Sequence, residues 1–242
     1  MATRLDSVVF DALDHRALAR WWSEAVGWPL GLEDDDEAEL QAPEGGALSW
    51  LTFVPAPERK VAKNRVHVDL ATSSVEEQAA TVERLVASGA TRIDVGQGDV
   101  PWVVLGDPEG NELCVLEPRD ELAPLGRLAA VVVHAVDPTG QASFWEAATG
   151  WSVCGRTDNA VQLRPPGASG PLLAFVGVDD AKVVKHRVHL DVAPFAGDDQ
   201  QAEVDRLVAL GARRVDVGQG PDVSWVVLAD PEGGEFCVLS PR

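Results

Sequence analysis

Cysteine is scarce in this sequence. The 242 residues include only Cys114, Cys154 and Cys237, an odd number without the paired spacing of a zinc motif. A disulfide framework needs a higher density of cysteines, so we exclude that class of protein and expect reduced thiols. Stability must then come from hydrophobic cores, for which a composition of 45% hydrophobic residues supplies enough material.

Positive charge and long apolar runs are also scarce. Twenty Lys and Arg residues stand against 39 Asp and Glu residues, which gives a formal net charge of -19. Such a chain repels phosphate backbones and anionic lipid surfaces, so neither nucleic acid nor a membrane is an expected partner. The longest apolar run, Leu128 to Val133, is too short to cross a bilayer, and the first residues do not resemble a signal peptide. We therefore expect a cytoplasmic protein.

The sequence does contain a long internal repeat. Three motifs of the first half recur in the second half in the same order, which indicates a duplicated domain. The recurring pairs are Arg65–Asp69 with Arg187–Asp191, Val95–Gly98 with Val217–Gly220, and Asp107–Gly110 with Asp230–Gly233. The repeat predicts one domain over residues 1–119 and a second over residues 127–242, with Pro118 and Pro124 near the boundary.

Each half shows the same succession of periodicities. Ser7 to Leu13 alternates as a strand does, and Arg16 to Val26 has the apolar spacing of a helix that ends at Gly27. Two further strand candidates follow, after which the order restarts with a strand over Arg65 to Ala71 and a helix over Val75 to Ser88. The pattern predicts an α+β fold with two βαβββ units in each half and four in the chain.

These motifs resemble those of the vicinal oxygen chelate superfamily, which contains glyoxalases, bleomycin-resistance proteins and extradiol dioxygenases. The resemblance rests on the helix that ends in Gly27-Trp28, the Arg-Val-His-x-Asp strand and the hairpin Asp107 to Leu116, and it covers nearly the whole chain twice. It implies that paired units form a cup with the ligand inside. It also implies a fused pseudo-twofold dimer, so we expect a monomer. Whether each cup uses one half or strands exchanged between the halves stays open.

The resemblance also implies where a metal would bind. Metal-dependent relatives use one His or Glu from each of four cup strands. The corresponding positions here are Ser7 or Ala130, residues 50–52 or 172–174, His67 or His189, and Cys114 or Cys237. Zinc normally needs three or four protein ligands, so we predict no metal at these positions and no cofactor. Strand alternation does place His67 beside Asp69 and Glu112 beside Cys114 on shared faces, and it places His134 on the face of Ala130.

Charged side chains share one face of the Arg-Val-His-x-Asp strand. A period of two puts Lys63, Arg65, His67 and Asp69 together, so the opposite, apolar face should pack against a helix and the charged face should look into the cup. The second half repeats the pattern with Lys185, Arg187, His189 and Asp191. This concentration of positive charge predicts a site for a carboxylate or another small anion. The open alternative is that acidic residues such as Glu112 and Asp11 already neutralise the arginines.

The predicted function is the binding of a small anionic or polar ligand in the cup without a catalytic metal. The alternative is a glyoxalase-type lyase or isomerase, either metal-dependent or with His67 and His189 as the catalytic general bases. A non-catalytic structural or regulatory role is a third possibility. The predicted ligand-binding residues are Lys63, Arg65, Asp69, Trp102, Glu112, Cys114, His134, Arg187, Asp191, Trp225, Glu235 and Cys237.

Overall fold

Four βαβββ units make up the chain, as the sequence predicts. The structure, a computed structural model, describes residues 3–167, 170–220 and 222–242. Unit 1 comprises β1 (Arg4–Ala12), α1 (His15–Val26), β2 (Leu30–Glu33), β3 (Ala38–Gln41) and β4 (Trp50–Pro55). Unit 2 comprises β5 (Val66–Leu70), α2 (Val75–Ala87), β6 (Thr91–Arg92), β7 (Val103–Gly106) and β8 (Glu112–Val115).

The second half repeats this order after a linking 3₁₀ helix, Asp120–Leu125. Unit 3 comprises β9 (Leu128–Ala135), α3 (Pro138–Thr149), β10 (Ser152–Arg156), β11 (Ala160–Arg164) and β12 (Leu172–Gly177). Unit 4 comprises β13 (Val188–Ala193), α4 (Gln200–Ala209), β14 (Arg213–Arg214), β15 (Val226–Ala229) and β16 (Glu235–Val238).

Each of the two eight-stranded sheets joins units from both halves of the sequence. Sheet A has the strand order β14-β15-β16-β13-β1-β4-β3-β2, and sheet B has the order β10-β11-β12-β9-β5-β8-β7-β6. Antiparallel pairing of β1 with β13 joins units 1 and 4, and antiparallel pairing of β5 with β9 joins units 2 and 3. The strands are therefore exchanged between the halves, which the sequence left open.

Strand alternation and helix packing separate an apolar face of each sheet from a concave face. In β1, the buried Val8 and Phe10 belong to the main hydrophobic core, and the Phe10 ring lies 5.2 Å from the Trp22 ring of α1. Asp14 caps the start of α1, and its side chain accepts a hydrogen bond from a first-turn backbone N–H. Gly27 caps its end, with a φ of 77° that favours a residue without a Cβ atom. The helices thus cover one face and leave the other concave.

The repeated Asp-Pro-Glu-Gly turn attaches the two units of each half to each other. Glu109 of this turn accepts hydrogen bonds of 2.9 Å from the backbone N–H groups of Leu13 and Asp14, at the end of β1. Glu232 makes the equivalent pair of contacts in the second half. Gly110 closes the turn with a φ of 85°, in the left-handed region. Turns therefore connect units within a half, and the sheets connect the halves to each other.

The helices are short in relation to a bilayer. Among the residues that the structure describes, no helix has both the length and the apolar character needed to span a membrane.

The exchanged strands predict how the chain behaves when its linker is cut. A protease site inserted between the exposed residues Gly126 and Arg127 should yield two fragments that remain one particle, because both sheets contain strands from both fragments. Size-exclusion chromatography in native buffer, with a denaturing gel as the control for complete cleavage, tests this. Separation of the two fragments without denaturant would contradict the strand exchange.

Candidate functional site

A cavity of about 790 Å³ lies on the concave face of sheet A, which we call cup A. Its walls come from both halves of the chain. Alternate residues of β1 line it, including Ser7 and Val9, while Val8 between them faces the hydrophobic core. A bulge between Leu5 and Ser7 interrupts the alternation, so the neighbouring Asp6 lines the cavity as well.

Three side chains of unit 4 converge on the floor of cup A. His189 and Asp191 lie on the same face of β13, and Cys237 of β16 is paired with Asp191. The His189 Nε2 atom is 3.5 Å from Asp191 Oδ1 and 3.8 Å from Cys237 Sγ. Asp191 Oδ1 is buried and has no hydrogen-bond partner among the described residues. On the other side of β13, Ser7 is paired with Asp191. We call His189, Asp191 and Cys237 the floor trio.

The protonation of the floor trio disfavours a reactive thiolate. Burial raises the pKa of Asp191 to about 6, against the opposing effect of His189. Burial, together with the nearby carboxylate of Asp191, raises the pKa of the Cys237 thiol well above its usual value. The thiol therefore keeps its proton near neutral pH, and nucleophilic attack by Cys237 is not supported.

Acidic side chains outnumber basic ones in the wall of cup A. Burial raises the pKa of Glu39, and the neighbouring Glu37 and Asp6 raise it further by repulsion. Burial also raises the pKa of Asp6, although Arg4 and Arg242 lie close to it. Among the described residues, the acidic ones that line the cavity are Asp6, Asp11, Asp36, Glu37, Glu39, Glu58, Asp191 and Glu235, against Lys185, Arg242 and two histidines. The cavity therefore favours positive charge over negative charge.

The concave face of sheet B, which we call cup B, contains an equivalent trio. The His67 Nε2 atom is 3.4 Å from Asp69 Oδ1, which is likewise buried without a hydrogen-bond partner among the described residues. Cys114 is paired with Asp69, as Cys237 is with Asp191. The residue paired with Asp69 on the other side is Ala130.

The linker distinguishes cup B from cup A. Leu122 and Leu125 of the 3₁₀ helix are 6% and 5% exposed and belong to one apolar cluster with Cys114 and Ala130 on the concave face of sheet B. The other buried members are Val104, Leu116, Ala129, Val132, Leu172 and Ala174. The linker therefore fills part of cup B with its own leucines.

His134 marks a second difference between the cups, because it occupies the position that Asp11 has in unit 1. Lys185 forms an ion pair of 2.5 Å with Asp11. Lys63, the counterpart of Lys185, has no ion pair among the described residues. The rings of His134 and His67 are 5.1 Å apart, and burial, followed by the charges of His67 and Lys63, lowers the pKa of His134 to about 3. His134 is therefore neutral at physiological pH.

The arginines that the sequence assigned to an anion site make contacts between the two halves instead. Arg65 donates hydrogen bonds to the backbone carbonyl and the side chain of Asp180. Arg187 donates to Glu109 Oε2 at 2.5 Å and to the backbone carbonyl of Glu58. Both arginines line a groove of about 320 Å³ between the halves and do not line the cavity of cup A. The arginines are paired with acidic residues, as the open alternative held, but the partners are Asp180 and Glu109 of the opposite half rather than Glu112 or Asp11.

The predicted glutamates are also neutralised. Glu112 accepts a hydrogen bond of 2.6 Å from Lys60, and Glu235 accepts one of 2.5 Å from Lys182. Each glutamate also accepts a backbone N–H from the loop that precedes β5 or β13. Glu235 still reaches the cavity wall of cup A. The two glutamates therefore anchor the loops that precede β5 and β13.

The two predicted tryptophans have different surroundings. Trp225 is 40% exposed and lines cup A, whereas its counterpart Trp102 is half-buried against the apolar cluster of cup B. Sequence reasoning missed Glu39 of cup A and considered Thr52 only as one of residues 50–52 of a metal position, although both line the cavity. Glu39 of β3 and Thr52 of β4 are paired, so strand alternation could have indicated their shared face, but the β13 residues that complete the cavity lie in the other half of the sequence.

The four family metal positions do not fit a metal in either cup. In cup A they hold Ser7, a residue of the stretch 50–52, His189 and Cys237; in cup B they hold Ala130, a residue of the stretch 172–174, His67 and Cys114. Strand exchange puts each quartet together from both halves. Each quartet contains one imidazole and one thiol, whereas zinc requires at least three protein ligands.

The packing of the linker predicts a cost for removing its leucines. Leu122→Ala and Leu125→Ala should each lower the free energy of unfolding by roughly 2 kcal/mol or more, because each leaves a void in a packed apolar cluster. Leu32→Ala, at a position 40% exposed, is the matched control and should cost much less. Chemical denaturation of the three variants measures the difference. Equal small effects in all three would show that the linker does not pack into cup B.

Comparison with known proteins agrees with the fold. A family model described as a glyoxalase-like domain matches residues 7–116 and residues 130–239. No curated protein matches the chain. Glyoxalase I from Zea mays is similar in structure, with a TM-score of 0.67, 15% identity, and coverage of 99% of this chain and 92% of the maize chain. A proposed dioxygenase from Bacillus subtilis gives a TM-score of 0.66 at 14% identity and covers 100% of this chain and 86% of that one. Because the two matches together cover most of the chain, the chain belongs to the glyoxalase-like domain family.

Proposed function

We propose that this chain is a small-molecule-binding protein whose ligand site is cup A. The observation that carries the proposal is the difference between the cups: a cavity of about 790 Å³ opens onto the floor trio of cup A, whereas the linker leucines occupy part of cup B. A cavity of this size is in the range that holds a small organic ligand. We therefore expect one ligand for each chain.

The charges of the wall favour a polar ligand with a positively charged group. Arg65 and Arg187, on which the sequence-based prediction of an anion depended, are neutralised outside the cavity. Glu37 and Glu39 approach each other and Asp6 in the wall, so their mutual repulsion decreases when a cation lies between them. Trp225 supplies an aromatic surface in the same cavity, and such surfaces also attract cations.

The alternative of a metal-free lyase or isomerase with His189 as general base has weaker support. A histidine base is normally oriented by a hydrogen bond to the ring nitrogen that does not react. Here both Asp191 and Cys237 contact Nε2, and Nδ1 has no hydrogen bond among the described residues. Binding requires only the shaped cavity and its polar wall, so it is the function that the geometry favours.

A titration with a panel of small primary, guanidino and quaternary amines tests the proposal, with tryptophan fluorescence and calorimetry as readouts. The expected result is one site for each chain, and a roughly tenfold loss of affinity in Glu39→Gln, since a charge pair in a partly buried cavity contributes about 1 to 2 kcal/mol.

The matched pair of tryptophans provides the control. Trp225→Phe should weaken binding and remove most of the fluorescence response, whereas Trp102→Phe, at the equivalent position of cup B, should leave the affinity unchanged. Binding of small carboxylates in place of amines would contradict the proposed ligand charge. Equal effects of the two tryptophan substitutions would contradict the assignment of the site to cup A.

A further inference from the structure

We propose that Asp6, Glu37 and Glu39 of cup A, which we call the acidic subsite, select a ligand with a guanidinium group, and that Arg242 occupies this subsite until the ligand displaces it. All four side chains line the cavity of cup A. The inference rests on the proposed function, because it names the chemical group that the cup selects and the side chain that competes for the same place.

The most deeply buried member of the acidic subsite is a carboxylate with unused acceptor capacity. Asp6 is 1% exposed, and neither of its carboxylate oxygens has a hydrogen-bond partner among the described residues. Arg4 Nη2 lies 3.1 Å from Oδ1 and Arg242 Nη1 lies 3.5 Å from Oδ2, as ion pairs. A buried carboxylate is stabilised most when aligned N–H donors face it. Asp6 can therefore still accept hydrogen bonds from a ligand in the cavity.

The charge of one guanidinium acts on all three carboxylates of the acidic subsite. Burial raises the pKa of Asp6, Glu37 and Glu39, and the positive charge of Arg242 opposes the rise at each of them. The backbone N–H of Arg242 donates to the carbonyl of Pro194 at 3.2 Å, whereas the Arg242 side chain is 46% exposed. The main chain is thus attached, while the guanidinium can rotate away from the acidic subsite.

The equivalent positions of cup B differ at the carboxylates and at the arginine together. In cup B the three positions of the acidic subsite hold the uncharged residues Ala129, Ala160 and Gln162. Arg119, the counterpart of Arg242, donates to Glu117 Oε1 at 2.7 Å from its Nε atom. Ser240 stands at the position of Glu117 in the second half, and Arg242 forms its ion pair with Asp6 instead. Only cup A combines the acidic subsite with an arginine placed against it.

The arrangement of carboxylates favours a guanidinium over other cations. A guanidinium is planar and has N–H donors along all its edges, so it can bond to carboxylates on several sides, whereas a quaternary amine has no N–H donor. Its flat face also stacks on an aromatic ring, which Trp225 supplies in the same cavity. The Arg242 guanidinium already lies beside Asp6, so the acidic subsite accommodates this group. A ligand guanidinium competes for the same carboxylates.

Arg242 acts as a tethered competitor of such a ligand. Attachment to the chain keeps its guanidinium at a high effective concentration, on the order of millimolar, near the acidic subsite. A ligand binds only those molecules in which Arg242 has moved away, so the apparent Kd exceeds the intrinsic Kd by the inverse of their fraction. Removal of the guanidinium should therefore raise affinity, and most of all for ligands that use the same carboxylates.

Calorimetric titration of the full chain with three probes that share one aromatic body tests the inference. The probes are benzylguanidine, benzylamine and benzyltrimethylammonium, and the wild-type chain should bind benzylguanidine most tightly. Arg242→Gln should raise the affinity for benzylguanidine roughly tenfold and that for benzyltrimethylammonium less than about threefold, because only the first probe competes for the hydrogen-bond acceptors that Arg242 vacates. Arg119→Gln, at the equivalent position of the first half, is the matched control and should leave both affinities unchanged.

A second set of variants shows whether the gain depends on the acidic subsite. In an Asp6→Asn background, Arg242→Gln should raise the affinity for benzylguanidine less than about threefold, since the contact that it releases is already gone. Asp6 is buried, so thermal unfolding checks that Asp6→Asn is folded. Glu39→Gln, at a half-buried position, serves as a second background and should also reduce the gain.

Several results would overturn the inference. Unchanged or weaker binding of benzylguanidine in Arg242→Gln would show that Arg242 does not compete, and an equal gain for benzyltrimethylammonium would show a general effect of charge. An undiminished gain in both backgrounds would place the competition outside the acidic subsite. These results leave the proposed function standing as long as the wild-type chain binds amines with a response that depends on Trp225. Failure of the wild-type chain and of Arg242→Gln to bind any probe would contradict the proposed function itself.

Discussion

The pairing of β1 with β13, and of β5 with β9, is the constraint on which the rest of this structure depends. The first strand of each βαβββ unit, which is β1, β5, β9 or β13, would be an open edge if the unit stood alone. An unpaired edge exposes backbone donors and acceptors. Each edge is paired with a unit of the other half. Both cups consequently exist only because both halves of the sequence are present, and His189 of the second half faces Val9 of the first.

Strand exchange also explains how a duplicated sequence produces two unequal cups. The linker follows unit 2, and its leucines reach the concave face of sheet B, which contains units 2 and 3. Sequence differences between the two halves make the cups still less alike, because Ser7 and Asp11 in cup A correspond to Ala130 and His134 in cup B. Cup A thereby gains polar, acidic walls and an open cavity, while cup B gains apolar contacts. One cup suits ligand binding, and the other contributes mainly to stability.

Much of this arrangement could be predicted from the sequence. The period of two within strands correctly placed each histidine on the same face as the aspartate that follows it, and the helix predicted over Val75 to Ser88 differs from the observed α2 by one residue. The hydrogen-bond partners of Arg65 and Arg187 could not be predicted, because these long side chains extend to acidic and carbonyl groups of the opposite half. Local periodicity contains no information on such contacts.

The acidic character of cup A could not be predicted from the local sequence pattern either. Asp6 enters the wall because β1 has a bulge, and Glu39 shares with β13 residues a cavity whose walls come from both halves. The leucines of the linker carry no periodic signal either, since a six-residue 3₁₀ helix is too short to show one. Composition predicted the overall negative charge of the chain, whereas its concentration in one cup is a result of the tertiary fold.

The reactivity of the three cysteines tests the central claim, that cup A is open and that the linker leucines fill part of cup B. Burial raises the pKa of both Cys114 and Cys237, so access rather than acidity should separate their rates of alkylation. With the exposed Cys154 as internal reference, mass spectrometry of the labelled peptides should show Cys154 reacting first, Cys237 next and Cys114 last. Alkylation of Cys114 as fast as, or faster than, that of Cys237 in the folded chain would contradict the account.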